Sequence, residues 1–316
     1  MESHLLTRVL LKDLSKDFSF ACRYRLGDAA LTASIAQNGI LQPLVVTQKG
    51  QIVSGHQRFQ AALELGIKEL PVLKMERVMT AADLYLISVV SNWKQTLSEL
   101  DRAWAIRRAV IDFKYSEEKV LREIFPALGI APQKHLLEEF LQITSLNPSI
   151  LENIADEKLP FRGAKILKHF PVKDQLFFSS DVVSQISLTS NQLIKTGEWL
   201  LDLIKLSKTS LEEYILLNFA AILNGKGDLR QKAERFYAEA RSLRFPSLVK
   251  RQKEFQAISA EMMKEVKGLA LDSPEFFEEQ GLSFHARVAD REALQRFFDL
   301  LQKKQKLLNS LFDITF

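Results

Sequence analysis

The sequence predicts an α+β protein: a small α/β N-terminal domain, a helical middle, and a mostly helical C-terminal part that ends in a small strand-plus-helix module. Three observations carry this. β-branched runs punctuated by glycine are concentrated in residues 1–95, the hydrophobic period turns helical from Thr96, and strand-like alternation returns only in LSFHARVA at 282–289. The 316 residues suffice for several domains with a buried core, and 47% hydrophobic against 26% charged residues is an ordinary globular balance.

In the first domain, PLVVTQ and QIVSG flank Lys49-Gly50 as a hairpin, and PVLKM after Gly66 reads as a third short strand. Between them Phe59, Ala62, Leu63 and Leu65 share one face of a short helix, which Gly66 is placed to end. From Thr96 to 175, Leu97, Leu100, Trp104 and Ile111 recur at helical spacing. Ser98 with Asp101 has the form of a capping box, Ser116 precedes an acidic first turn, and Asn147-Pro148 is a cap followed by proline at the first helical position. Residues 176–245 read as a helical connector, with a strong start at Ser210–Glu213 and a break at 224–228. In the last module, 246–316, Asp290 caps a final helix with Leu294, Phe297, Phe298 and Leu301 on one side.

Cys22 is the only cysteine, which excludes a disulfide framework and a thiolate zinc site and suits a reducing, cytoplasmic setting. No apolar run approaches the ~18 residues of a spanning helix, and the first residues carry charges inside their apolar run, so neither secretion nor a membrane partner is expected. Net charge is +4, and its distribution is informative. Residues 1–95 hold 11 lysines and arginines against 8 acids, residues 96–175 hold 12 against 12, and the remainder 20 against 19.

The excess coincides with SGHQR at 54–58, where a helix begins with His56 and Arg58 and no acid. The free N–H groups and dipole of a helix start disfavour cations by about 0.3–1 kcal/mol each, and an anion reverses that sign. Gly55 lets the backbone approach a ligand, and Arg58 and His56 are placed to add charged hydrogen bonds to a phosphate.

Together NGILQPLVV (38–46), GQIVSGHQRFQAALELG (50–66) and LPVLKM (70–75) resemble the N-terminal domain of the ParB partition proteins, in the ParB/sulfiredoxin superfamily. The resemblance extends upstream through RYRLGDAALTASIAQNGI (23–40) and downstream through SNWKQTLSELDRAWAI (91–106), and about the first 170 residues are covered. It implies a site in which Ser54, Gly55, His56, Gln57 and Arg58 hold the triphosphate of CTP, with Gly39, Gln42 and Pro43 upstream and Asn92 on the side of a magnesium ion. It implies further that nucleotide binding switches the conformation of a DNA-bound homodimer, with a partition ATPase as a possible partner.

The departures from the family pattern bear on chemistry. His56 stands where the family has glutamate, Gln57 replaces an arginine, Ser91 replaces the acid before Asn92, and Lys94 and Gln95 do not restore the following arginine. Lost carboxylates weaken metal binding and water activation together, so at most slow CTP hydrolysis is implied. Sulfiredoxin chemistry is not expected, because His56 occupies the place of its cysteine and Cys22 lies far upstream. A related free-serine kinase resembles SGHQR but has aspartate at the Ser54 position; a kinase or phosphodiesterase therefore needs another carboxylate, such as Asp28 or Glu76. A third alternative is an adaptor whose phosphate pocket is vestigial.

The same resemblance places a helix-turn-helix over residues 116–141, with a turn near Leu128-Gly129 and a recognition helix from Pro132 led by Gln133, Lys134 and His135. Arg107, Arg108 and Lys114 read either as a basic strip or as a solvated helix face. Self-association is assigned to 246–316, as in the family.

Overall fold

The computed structural model describes residues 5–92, 97–263, 269–272, 283–286 and 290–315. Strands β1 (Leu5–Leu10), β2 (Leu44–Val46), β3 (Ile52–Ser54) and β4 (Glu69–Lys74) form one sheet in the order β1-β4-β2-β3. β1 pairs antiparallel with β4, β4 parallel with β2, and β2 antiparallel with β3. Gly50, at φ 76°, makes the hairpin turn, and a Cβ there would stand 2.8 Å from the Asp13 carbonyl oxygen.

Helices α1 (Ala29–Asn38) and α2 (His56–Glu64) pack on each other. Phe59 and Ala62 of α2 join Leu44, Val46, Ile52, Leu70, Val72 and Leu14 in a continuous core. Each large member of this set contributes about 1.5–3 kcal/mol relative to an exposed side chain. Gly66, at φ 67°, follows α2 as expected. Strand β1 is a finding the sequence reading lacked: its residues, LLTRVL, form a charge-interrupted edge strand in which Leu6 stays exposed.

Helix α3 (Ala81–Ser91) lies against β3. Helix α4 (Glu99–Ile111) begins with the anticipated capping box, both Ser98–Asp101 bonds being formed. Next comes a helical run made of α5 (Glu117–Lys119), a π turn (Val120–Ile124) and α6 (Phe125–Ala127), with Ser116 accepting from the Lys119 N–H as cap. Gly129, at φ 69°, turns the chain. Helix α7 (Lys134–Thr144) then packs on α4 through Leu137, Phe140 and Ile143. It starts two residues later than the sequence suggests. Helix α8 (Pro148–Ala155) carries the expected Asn147 cap, whose side chain accepts from Ser149.

Beyond these come a 3-10 turn (Gly163–His169), α9 (Val172–Phe177), a second π turn (Phe178–Val182), α10 (Ser190–Ser207), α11 (Leu211–Leu223), α12 (Leu229–Arg244) and α13 (Pro246–Met263). Ser210 and Glu213 form the second capping box. Strands β5 (Leu269–Asp272) and β6 (Ser283–Ala286) pair antiparallel. The anticipated strand is thus present over Ser283–Ala286; residues 287–289 and Phe276-Phe277 lie outside the described residues. The single final helix is in fact two, α14 (Arg291–Lys303) and α15 (Gln305–Thr315).

Contacts divide the chain into two compact units. One holds residues 1–197 and 227–232, the other 198–226 and 233–316. In the second, Phe255 of α13 and Leu311 of α15 are buried with Phe297 and Leu301 against them. Leu294 and Phe298, one turn apart on α14, remain 40% and 55% exposed.

Candidate functional site

The start of α2 opens into a pocket of about 350 Å³. Gly55 forms the N-cap at φ 98°, in the left-handed region, and offers no side-chain cap to the first-turn N–H groups. No acid lies in that turn. A Cβ on Gly55 would stand 3.0 Å from Leu44 Cγ and 3.2 Å from Arg58 Nη2, so the glycine serves both the backbone angle and the space at the mouth.

Arg58 Nη1 donates to the carbonyls of Gln42 at 2.7 Å and Pro43 at 2.8 Å. The guanidinium therefore ties the segment before β2 to the helix start. Burial presses its pKa down from the usual arginine value; an arginine still keeps its charge. The ring of His56 is buried 6.2 Å from the Phe18 ring, and its Nε2 has no hydrogen-bond partner among the described residues. Burial pushes its pKa down to about 4, a backbone hydrogen bond at Ile52 opposing the shift. The expected second cation is therefore a neutral imidazole, because the strand-to-helix junction packs it inward.

Of the residues singled out by sequence, Asp28, Gln42, Gly55, His56, Gln57, Arg58 and Asn92 line this pocket. Gly39, Pro43 and Ser54 do not. Gly39, at φ 71°, ends α1, whereas Ser54 is buried and accepts from Ser91 Oγ at 2.7 Å. That bond joins the end of α3 to β3, and Asn92 Nδ2 donates to the Ser88 carbonyl at 2.8 Å. Lys94 and Gln95 lie outside the described residues.

The segment before α1 also lines the pocket; of it sequence reasoning named Asp28 and missed Ala21, Cys22, Arg23 and Leu26 as lining. Cys22 is far from Gly55 in sequence yet shares its pocket, and burial pushes its thiol up to about 11, so it is no nucleophile at neutral pH. Asp28 caps α1 by accepting from the Leu31 N–H at 3.0 Å. It is the only carboxylate among the lining residues, and among the described residues no three acidic, histidine or cysteine side chains gather as a metal site. This donor set does not fit a protein-held magnesium ion, whose usual shell needs more free carboxylate or phosphate oxygen. Glu76 is not in the lining.

The candidate DNA residues Gln133, Lys134 and His135 are all exposed at the start of α7. Gln133 is the N-cap without a side-chain cap bond. Lys134 Nζ lies 3.2 Å from Glu117 Oε1.

A small mixed sheet whose hairpin feeds an uncapped, glycine-led helix start with an arginine over it defines an α/β domain with an open helix N-terminus. Residues 28–90 match the family model for the ParB N-terminal domain, and over this stretch the chain is similar to the ParB proteins. A probable chromosome-partitioning protein ParB of Coxiella burnetii is 30% identical over 141 residues, covering 43% of this chain and 46% of that protein. The chromosome-partitioning protein ParB of Myxococcus xanthus is 26% identical over 145 residues, covering 45% and 46%. The match thus spans about half the length of these curated relatives. Among solved structures, a C-terminally truncated Caulobacter crescentus ParB complexed to the centromeric parS site overlays with a TM-score of 0.37 at 16% identity, covering 61% of this chain and 98% of that one. The same protein complexed with CTP-gamma-S gives 0.26 at 18% identity, covering 57% and 99%. No helix among the described residues is long and apolar enough to cross a membrane.

Proposed function

We propose that this chain is a ParB-like, DNA-associated protein of chromosome or plasmid partition. Its N-terminal domain takes a nucleoside triphosphate, CTP foremost, as a conformational switch rather than as a rapidly turned-over substrate. The observation that carries the reading is the start of α2: a left-handed glycine N-cap, no acid in the first turn, and Arg58 over the mouth. Uncapped N–H groups and a fixed cation donate hydrogen bonds directly to phosphate oxygens. The partition proteins among the curated relatives support the cellular role.

A switch is favoured over a kinase or phosphodiesterase because Asp28, the carboxylate of the lining, is committed to capping α1. Arg58 and the first-turn N–H groups bind and orient the phosphates; Gln42, Gln57 and Asn92 are the polar groups left for the rest of the ligand. Magnesium, if it accompanies the nucleotide, is carried on the phosphate oxygens. DNA is assigned to the start of α7 with Gln133, Lys134 and His135. Self-association is assigned to 246–316, where Leu294 and Phe298 leave an apolar strip on α14; a monomer in sedimentation equilibrium would remove that part. A cytoplasmic location and a partition ATPase partner complete the proposal.

Calorimetric titration of CTP, ATP and GTP tests the switch. Wild-type protein is expected to bind CTP, and Arg58→Ala to lose at least ~10-fold in affinity, as for loss of a charged hydrogen bond. Absence of binding by all three nucleotides sinks the reading.

A further inference from the structure

Helix α4 reaches back to the pocket through one arginine. Arg108 is 14% exposed and pairs through Nε with Asp112 Oδ2 at 2.8 Å. Its other nitrogens turn to the segment before α1. Nη1 donates to the carbonyls of Phe18, at 3.3 Å, and of Ala21, while Nη2 donates to that of Ser19. The guanidinium carbon lies 5.8 Å from the Tyr85 ring and 5.7 Å from the Phe113 ring, so aromatic faces hold the fork in place. Three carbonyls of one short loop thus converge on one planar donor. The next residues of that loop, Ala21, Cys22 and Arg23, are the pocket wall facing the start of α2.

The same helix holds the adjoining stretch as well. Asp101 Oδ1 accepts from the Tyr24 N–H at 3.0 Å, and Asp101 Oδ2 lies 3.5 Å from Arg23 Nη1. The stretch from Phe18 to Tyr24, of which Ala21, Cys22 and Arg23 line the pocket, is therefore held by side chains of α4, which follows residues 28–90, the span of the ParB N-terminal domain match.

We propose that Arg108 is a positioning residue of the phosphate pocket: it presets the loop 18–23, whose residues 21–23 line that pocket, so ligand affinity depends on a guanidinium outside the N-terminal domain. It touches no ligand itself. The inference rests on the nucleotide reading above, and its own failure is separable from the failure of that reading. A lysine keeps the charge and the apolar stem but not the fork, so it cannot reproduce three converging bonds. Loss of a preorganised wall is charged against binding, because the ligand must then order it.

The test uses the full chain, with Arg108→Lys, Arg108→Gln and the control Arg107→Gln, whose guanidinium lies 5.0 Å over Trp104 instead. CTP affinity is measured by calorimetry well below each variant's melting temperature. Arg108→Lys is expected to lose ~10-fold and Arg108→Gln more, with the control within about twofold. Hydrogen exchange supplies the readout that general destabilisation does not move. Without ligand, amides 18–24 exchange faster in Arg108→Lys while those of α2 keep wild-type rates. With CTP, protection at 55–59 persists but that at 18–24 weakens. Wild-type protein that binds no nucleotide sinks the pocket's assignment and this role with it. Wild-type binding that Arg108→Lys matches in affinity and exchange pattern overturns the positioning role alone, as does an equal loss in the control.

Discussion

His56 occupies the first position of α2 and, unlike Arg58, faces the interior. Its ring is almost wholly buried beside Phe18, with Nε2 lacking a partner among the described residues. Burial favours the neutral form, and the nearby Arg108 and Arg58 push the same way, overcoming Asp17 and the Ile52 backbone bond. The sign of the linkage follows. The folded pKa of about 4 lies below the ordinary value of 6.5, so between those pH values the unfolded chain binds more protons. Stability attributable to His56 is level above pH ~6.5 and falls as pH drops toward 4, by at most about 3 kcal/mol. In urea denaturation at pH 7 and pH 4.5, wild type should lose more stability on acidification than His56→Gln, which does not titrate. Parallel losses in the two proteins would show that the imidazole is not buried neutral. With the imidazole neutral, the positive charge expected at this helix start comes from Arg58.

Helix α4 shows what an element adds beyond its residues. Ser98 and Asp101 close a capping box, and Asp101 also accepts from the Tyr24 N–H and faces Arg23. Ser98→Ala removes one cap and should cost about 1 kcal/mol. Asp101→Ala breaks the same box and leaves the Tyr24 N–H without its acceptor, so it should cost more than Ser98→Ala by about 1–3 kcal/mol. Denaturant midpoints for the two variants decide this; equal costs would mean that Asp101 acts only as a cap. The two capping boxes and the Asn147 cap were legible in the sequence because a cap is a local event, settled within four residues. The hairpin, α2 and the glycine-led helix start were legible for the same reason. Strand β1 was not, since charged Arg8 sits in its run and its pairing partner, β4, is some sixty residues away in the chain. Nor was most of the segment before α1: Cys22 and Arg23 reach Gly55 only through tertiary packing, and Asp28, named as a carboxylate, could not be placed from spacing. Arg108 looked like a member of a solvated strip, because neither its three carbonyl partners nor its aromatic neighbours can be read from spacing on its own helix.

At the scale of the whole molecule, the charge balance sets how the proposed DNA binding behaves. Residues 96–175 carry equal numbers of basic and acidic side chains. Nonspecific affinity comes from neutralising phosphates, with a salt slope of about 0.9 per contact, so this region gains little from bulk charge and depends on individual placement. At the start of α7 that placement is contested. Lys134 is exposed but lies 3.2 Å from Glu117, itself half exposed, which offers the ammonium a protein partner in place of a phosphate. An exposed ion pair is worth only a few tenths of a kcal/mol to about 1, so it competes with DNA without abolishing binding. Glu117→Gln should therefore strengthen DNA binding a few-fold at low salt. Lys134→Ala should weaken it, lowering the salt slope by about 0.9 in the Glu117→Gln background and by less in wild type. Fluorescence anisotropy with a labelled duplex across a salt series measures both quantities. If Glu117→Gln leaves affinity unchanged while Lys134→Ala is silent in both backgrounds, the start of α7 does not meet the phosphates, and the helices from 117 to 144 serve packing against α4 instead.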